Sequence, residues 1–324
     1  MSEFAKSKNM ELLTTEITNL LTLESFISER DNFQNVFYMS PIPKLCQEYP
    51  CILGIDEAGR GPVLGPMVYG AAFIPINEQM VLEQLECADS KALTEEKRDQ
   101  IFEKICETSN KMGWTVELIA PNSICNSMLS RSKYSLNQVS MDSAVGLIKA
   151  ALEHKVKVEH VFVDTVGKPE KYQAYLKSLF PNLNIVVAKK ADSIYPVVSA
   201  ASICAKVTRD HSLKVWNFTE GIEVKAFGSG YPGDPVTKRF LIDYCDPVFG
   251  YPHLVRFSWS TAVNALESTA YRVDWEEIND EEKPLPQTTS ITSFFKVSNN
   301  KEGTTTKKAH EFFTQRCLSR DVQF

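Results

Sequence analysis

Two acidic residues stand side by side where an apolar run, Cys51-Ile-Leu-Gly-Ile55, meets a glycine turn: Asp56 and Glu57 precede Ala58-Gly59-Arg60-Gly61. Successive side chains of a strand point to opposite faces, so one of the two carboxylates is driven toward the core, an expensive place unless something there requires charge. Taken alone, the pair could be a solvated strand end. A second apolar run, Val161-Phe-Val163, also ends in an acid, Asp164, and a further acid, Asp192, follows the run 184–188 through Lys189 and Lys190. For Asp192 a helix cap ahead of Pro196 is the plain alternative. If the two acid-ended strands are neighbours in one sheet, Asp56 and Asp164 lie side by side at its edge. Clustered carboxylates repel one another strongly unless cations neutralise them. Oxygen ligands select hard ions, so Mg²⁺ or Mn²⁺ is expected rather than Zn²⁺. Two such ions are a known arrangement for in-line displacement at a phosphodiester.

The elements that must carry these residues follow from the apolar pattern. Strands are expected over 51–55, 66–74, 113–120, 160–166 and 184–188, as short apolar runs bounded by Gly or Pro. Helices are expected over 94–108, 137–153, 168–180, 196–218 and 235–245. The alternation argues for one α/β layer structure. Pro196 suits a first helical turn, and Val197, Ala200, Ala201, Cys204 and Val207 then form a stripe whose small residues let the helix lie close to the sheet. Ahead of this region, Leu12, Leu13, Ile17, Leu20 and Leu21 have helical spacing and lead to the kinked Pro41-Ile42-Pro43. We therefore divide the chain into an N-terminal extension over 1–45, an α/β domain over 46–275 and a tail over 276–324. The tail is rich in Ser, Thr, Asn and Lys and is expected to be flexible.

Of the 324 residues, 43% are hydrophobic and 23% charged, as in a soluble globular protein. Lys+Arg 35 against Asp+Glu 41 gives −6, so a polyanionic partner must meet a local basic face rather than the overall field. The eight cysteines form no C-x-x-C pair and no zinc spacing with the histidines, which points to reduced thiols in the cytosol or nucleus. No cationic start followed by an apolar stretch opens the chain, and its longest uncharged run, 61–77, is broken by prolines, so neither secretion nor a membrane span is expected. Glycines 59, 61 and 65 miss the dinucleotide fingerprint, whose third glycine would fall on Leu64.

Together and in order, Gly54-Ile-Asp-Glu-Ala-Gly-Arg-Gly-Pro62, Asp89-Ser-Lys91, Val163-Asp-Thr165, Lys190-Ala-Asp192 and Gly228-Ser-Gly-Tyr-Pro232 resemble the type 2 ribonuclease H family over about 46–266. Through 163–169, 195–207 and Val255-Arg-Phe-Ser-Trp259 the chain is most similar to the catalytic chains of the eukaryotic three-subunit branch. The resemblance implies a ribonuclease-H-like mixed five-stranded sheet flanked by helices. Three antiparallel strands would join two parallel ones, with extra C-terminal helices and the flexible tail following. It implies an endonuclease that hydrolyses the RNA strand of RNA/DNA hybrids and cuts 5′ of single ribonucleotides in duplex DNA, leaving 3′-hydroxyl and 5′-phosphate ends. Asp56, Glu57, Asp164 and Asp192 match the family's four metal-binding carboxylates, with Asp56 bridging two ions. Gly59, Arg60 and Gly61 match the turn whose main chain reads the ribose 2′-hydroxyl, and a missing Cβ suits so close an approach. Tyr231 matches the tyrosine that packs on the neighbouring sugar and engages that hydroxyl. Lys91 matches the phosphate-contacting lysine.

Lys206 and Arg209 are further candidates for contacts to the duplex backbone, with solvated surface charge as the alternative. The eukaryotic resemblance also implies a nuclear enzyme of DNA replication and ribonucleotide removal, bound to two accessory subunits. In the tail, Thr288, Ile291, Phe294 and Phe295 have the spacing of the Q-x-x-I-x-x-F-F box that plugs into a sliding clamp, although Thr288 stands where glutamine is expected and Gln287 comes one residue early. Adjacent phenylalanines in a polar tail need a partner, either a clamp or the accessory subunits. A sugar kinase or actin-like ATPase would share the sheet but needs a second Asp-Gly-Gly turn, and none is present. A scaffold that has lost catalysis is opposed by the presence of all four acids.

Overall fold

The apolar runs pair into one six-stranded sheet of order β1-β4-β3-β2-β5-β6: β1 Val36–Met39, β2 Cys51–Ala58, β3 Met67–Pro75, β4 Gly113–Ile119, β5 Val158–Asp164 and β6 Asn184–Ala188. This is a computed structural model, and it describes residues 16–272 apart from 86, 88–92, 133 and 166. β3 is antiparallel to both β2 and β4, while β5 runs parallel to β2 and β6 parallel to β5. The mixed arrangement expected from the resemblance is thus present, with one strand more than the expected five. The addition is β1, from the segment read as an extension, which pairs antiparallel with β4, Val36 opposite Leu118 and Met39 opposite Thr115. Val-Phe-Tyr-Met shows no apolar-polar alternation and lies just before Pro41 and Pro43. Its strand state comes from the edge that β4 offers, a tertiary cause that local pattern does not carry.

Among the described residues the helices are α1 Leu20–Ser28, α2 Lys44–Glu48, α3 Met80–Gln84, α4 Glu95–Glu107, α5 Pro121–Met128, α6 Leu136–Glu153, α7 Pro169–Leu179, α8 Pro196–Lys214, α9 Pro235–Asp243 and α10 Ser260–Thr269. α8 stops at Lys214 rather than 218, because Trp216 and Phe218 turn to pack on a separate apolar cluster. None of these helices is long and apolar enough to cross a membrane. The chain divides into the units Met1–Arg272 and Val273–Phe324. The second unit holds the expected flexible tail with Ile291, Phe294 and Phe295, and it lies outside the described residues.

Strand alternation assigns the two faces of the sheet. Cys51, Leu53 and Ile55 pack with residues of α6 and α7, whereas Ile52 and Ala58 pack with α1, α4 and α8. α8 lies so close to β2 that a Cβ on Gly54 would sit 2.5 Å from the Val197 carbonyl, which is the close approach its small-residue stripe anticipates. His211 of α8 ties the N-terminal segment in place, its Nδ1 2.7 Å from Glu24 Oε1 of α1 and its Nε2 3.2 Å from Asp99 Oδ1 of α4. The separate cluster, built on Val63, Leu64, Phe240, Leu241, Leu254, Val255 and Ala262, fastens α9 and α10 to the loop that leaves β2.

Candidate active site

β2 extends past the expected residue 55, so both acids lie within the strand, Asp56 opposite Gly70 and Glu57 opposite Tyr69 on β3. Their phase sends them to opposite faces: Asp56 follows Ile52 toward α8, and Glu57 follows Leu53 and Ile55 toward α6 and α7. Asp56 is only 4% exposed. Burial pushes its carboxyl well above the usual range, Glu57 and Asp164 add to the rise, and the Ser202 hydroxyl and Glu57 N–H oppose it. Asp164 ends β5, 8% exposed and in phase with Phe162 on the α8 side. Its Oδ1 accepts from the Ala191 N–H at 2.7 Å, which draws in the short 3₁₀ turn Ala191–Ser193 that carries Asp192, 2% exposed.

Asp192 does not cap α8. The N-cap is Tyr195, and the Asp192 carbonyl instead accepts from the Ser199 hydroxyl. Three aspartates are thereby drawn to the α8 side of the sheet edge, with Glu57 on the far side of β2. Among the described residues no group of three or more His, Cys, Asp or Glu side chains is arranged to hold a metal ion as it stands. The chemistry of the donors still suits a hard divalent cation: they are carboxylates alone, and such a charge would relieve the repulsion that raises Asp56.

Directly after β2, the loop 59–61 is held from inside by Arg256, a side chain with 0% exposure. Its Nη2 donates to the Gly59 carbonyl at 2.7 Å, its Nη1 to Arg60 at 3.2 Å and its Nε to Gly65 at 2.8 Å. Trp259 Nε1 donates to the Gly61 carbonyl at 3.2 Å, and the Arg256 guanidinium lies 5.0 Å from the Trp259 ring centroid. Burial, with the Arg209 charge next, brings Arg256 down to about 9. A trans peptide sets each carbonyl opposite the next N–H, and no peptide here is cis. With the Gly59 and Arg60 carbonyls drawn inward, the N–H groups of Arg60 and Gly61 are turned away from Arg256. Gly59 has φ +75, and a Cβ there would meet Arg209 Nε at 2.5 Å, so only glycine fits.

A second loop meets the first. The Gly230 carbonyl accepts from the Val63 N–H at 2.7 Å, and Tyr231, 51% exposed, brings Cε1 within 3.6 Å of where a Gly61 Cβ would be. The structure therefore places Gly61 and Tyr231 together. Arg60 turns its side chain to Asn137 and Ser140 at the start of α6. Arg209 is not a solvated surface charge: it is 7% exposed, beneath Gly59, and its Nη1 pairs with Asp210 at 3.2 Å. Its Nε and Nη2 are buried without a hydrogen-bond partner among the described residues. Lys206 is half-buried on α8, and Lys91 lies outside the described residues. The residues that sequence reasoning missed are Arg256 and Trp259. Their block was noticed as a resemblance, but no local signal shows that they grip a loop about 197 positions earlier.

The sequence and the fold both have clear relatives among known proteins. The family model described as Ribonuclease HII matches residues 53–262. A ribonuclease H2 chain of Rattus norvegicus, one subunit of that enzyme, is 49% identical over 292 residues, covering 90% of this chain and 96% of the rat protein. The crystal structure of the ribonuclease H2 from Pyrococcus horikoshii superposes with a TM-score of 0.58 at 33% identity, covering 68% of this chain and 98% of that one. The ribonuclease HII in the PCNA complex from Archaeoglobus fulgidus gives 0.56 at 29% identity, covering 66% and 96%.

Proposed function

The chain belongs to the ribonuclease HII family and is a ribonuclease H, and from that premise we propose that it cuts 5′ of single ribonucleotides in duplex DNA as well as the RNA strand of hybrids. The observation that carries this reading is the adjacency of the acid edge to a loop whose carbonyls are all gripped from behind. Its outward N–H groups at Arg60 and Gly61, with the Tyr231 hydroxyl, suit a single 2′-hydroxyl, the group that marks a lone ribonucleotide. Two Mg²⁺ or Mn²⁺ ions, held by Asp56, Glu57, Asp164 and Asp192, would lower the pKa of the attacking water and neutralise the leaving 3′ oxygen. Tyr231 packs its ring on the adjoining sugar and excludes water from it. Lys91 and Lys206 contact the duplex backbone, whereas Arg209 keeps its charge buried beneath the loop under Gly59.

The rat relative is named as one chain of a multi-chain enzyme, which supports an assembly with other chains; we further infer, from the eukaryotic resemblance alone, that these are two accessory chains and that the enzyme acts in the nucleus in replication and ribonucleotide removal. A family neighbour solved with PCNA lends support to clamp binding through Ile291, Phe294 and Phe295. The test is incubation with a DNA duplex carrying one ribonucleotide, with and without Mg²⁺, followed by sizing and end analysis. A single Mg²⁺-dependent cut 5′ of the ribonucleotide, leaving 3′-hydroxyl and 5′-phosphate ends, is expected. Cutting of the all-DNA duplex, or undiminished cutting in chelator, would refute the reading.

A further inference from the structure

The loop 59–61 reads Gly-Arg-Gly, so the one side chain it carries is that of Arg60, between two glycines. Arg256 and Trp259 hold its carbonyls from one side. A peptide gripped by its carbonyl alone can still pivot about that bond, and flanking glycines resist the pivot little. A second anchor, off that axis, is needed to remove the freedom, and Arg60 supplies it. Its Nη1 donates to the Ser140 hydroxyl and its Nη2 to Asn137 Oδ1, so both arms of the planar guanidinium are taken at once. The two acceptors stand three residues apart, on one face of the first turns of α6.

α6 is firm ground for such an anchor. Ser135 caps it and exchanges hydrogen bonds with Gln138, and Ala144, Leu147, Ile148 and Ala151 pack it onto the sheet in the core cluster of the Glu57 face. Ser140 is 6% exposed, so water competes little with its hydroxyl for the guanidinium. Gly61, the next residue, brings this anchored stretch against the exposed Tyr231 ring. We propose that Asn137 and Ser140 are positioning residues for ribose recognition: they hold Arg60 on α6 and thereby fix the peptide planes whose N–H groups, at Arg60 and Gly61, meet the 2′-hydroxyl. The Arg60 side chain acts as a strut rather than as a contact to phosphate. The inference rests on the reading of this loop as the ribose reader.

The test is single-turnover cleavage of a duplex with one ribonucleotide, at saturating full-length enzyme with any subunits that copurify, beside affinity for the matching all-DNA duplex. Asn137→Ala/Ser140→Ala should lower the cleavage rate by roughly 10- to 100-fold, the scale of a misplacement of up to about 1 Å, and leave all-DNA affinity and its salt dependence as in the wild type. Arg60→Met should show the same loss, and adding Asn137→Ala and Ser140→Ala to it should cost nothing further, because both act only through that side chain. Asn137→Asp, which keeps the acceptor oxygen, should recover most of the rate lost in Asn137→Ala. Partial unfolding would lower cleavage and all-DNA binding together, so an equal loss in both would overturn the proposal. So would an unchanged rate in Asn137→Ala/Ser140→Ala, additive losses in the combined variant, or a fall of about 1 in the salt slope of Arg60→Met, which would make the guanidinium a phosphate contact. Each of these leaves the 2′-hydroxyl reading standing, whereas cutting of the all-DNA duplex by the wild type would remove both.

Discussion

The acid edge and the glycine loop meet at the end of β2, and they handle polar groups in opposite ways. At the edge three aspartates are buried, and burial first, then the charges of Glu57 and Asp164, raise Asp56, so this part of the molecule holds a carboxylate whose surroundings disfavour its charge. Just beyond it, the carbonyls of Gly59, Arg60 and Gly61 are all met by Arg256 and Trp259, so that part is over-determined. A site for chemistry benefits from unrelieved charge that an incoming cation can satisfy. A site for recognition benefits from a backbone that cannot rearrange, so that its outward donors keep one geometry.

The comparison is broken most directly at the edge. Asp56→Asn should lower single-turnover cleavage on the order of 10⁴-fold, about 5 kcal/mol of transition-state stabilisation. The same change removes a buried repelling charge, so the thermal midpoint should stay level or rise. A clear drop would mean that the edge is stabilising rather than frustrated.

In the loop the sign reverses. Arg256→Met should cost about 3 to 5 kcal/mol in urea unfolding, because it strands three inward carbonyls. Cleavage at a single ribonucleotide should fall with it at temperatures where the variant stays folded. Stability within about 0.5 kcal/mol of wild type would show that the brace is dispensable.

Tyr231 sharpens the contrast without touching the brace. Tyr231→Phe should lose about 1 to 3 kcal/mol from cleavage at one ribonucleotide, and Tyr231→Ala should lose more, since it also removes packing on the sugar. Affinity for the matching all-DNA duplex should change less in both. Equal losses would make Tyr231 a general binding residue.

The smallest effect concerns Asp234, the N-cap of α9 in the Tyr231 loop. The Ser229 N–H, then the Ser229 hydroxyl and the Val236 N–H, hold its carboxyl down at about 2. A folded value below the unfolded one of about 4 contributes stability above that pH and loses it as pH falls toward 2. The stability gap between wild type and Asp234→Asn should therefore narrow between about pH 5 and about pH 3. A gap that stays constant would mean that the carboxylate's charge is not what holds the loop.

What could be read in advance follows the range of each signal. Asp56 and Asp164 were legible because an apolar run with an acid at its end is local, and alternation tells that Asp56 and Glu57 must part to opposite faces. The small stripe on α8 was legible because it records how near the helix lies to Gly54. Arg256 and Trp259 were not, since their partners are nearly two hundred residues away. For Arg209 the sequence suggested a duplex-backbone contact, with solvated charge as the alternative, and could not show that the glycines at 59 and 230 make room for it beneath the loops. β1 was missed because its strand state belongs to the edge of β4.

The brace also has a consequence for the order in which the protein becomes competent. Chains emerge N-terminus first, so by residue 192 all four acids have been synthesised, together with every strand of the sheet. Gly59 must then wait for a side chain 197 positions downstream. Loop closure over such a span is slow compared with local pairing. The acids of the sheet edge are therefore all present early, whereas the loop that follows β2 can gain its brace only when translation of the described fold is almost complete.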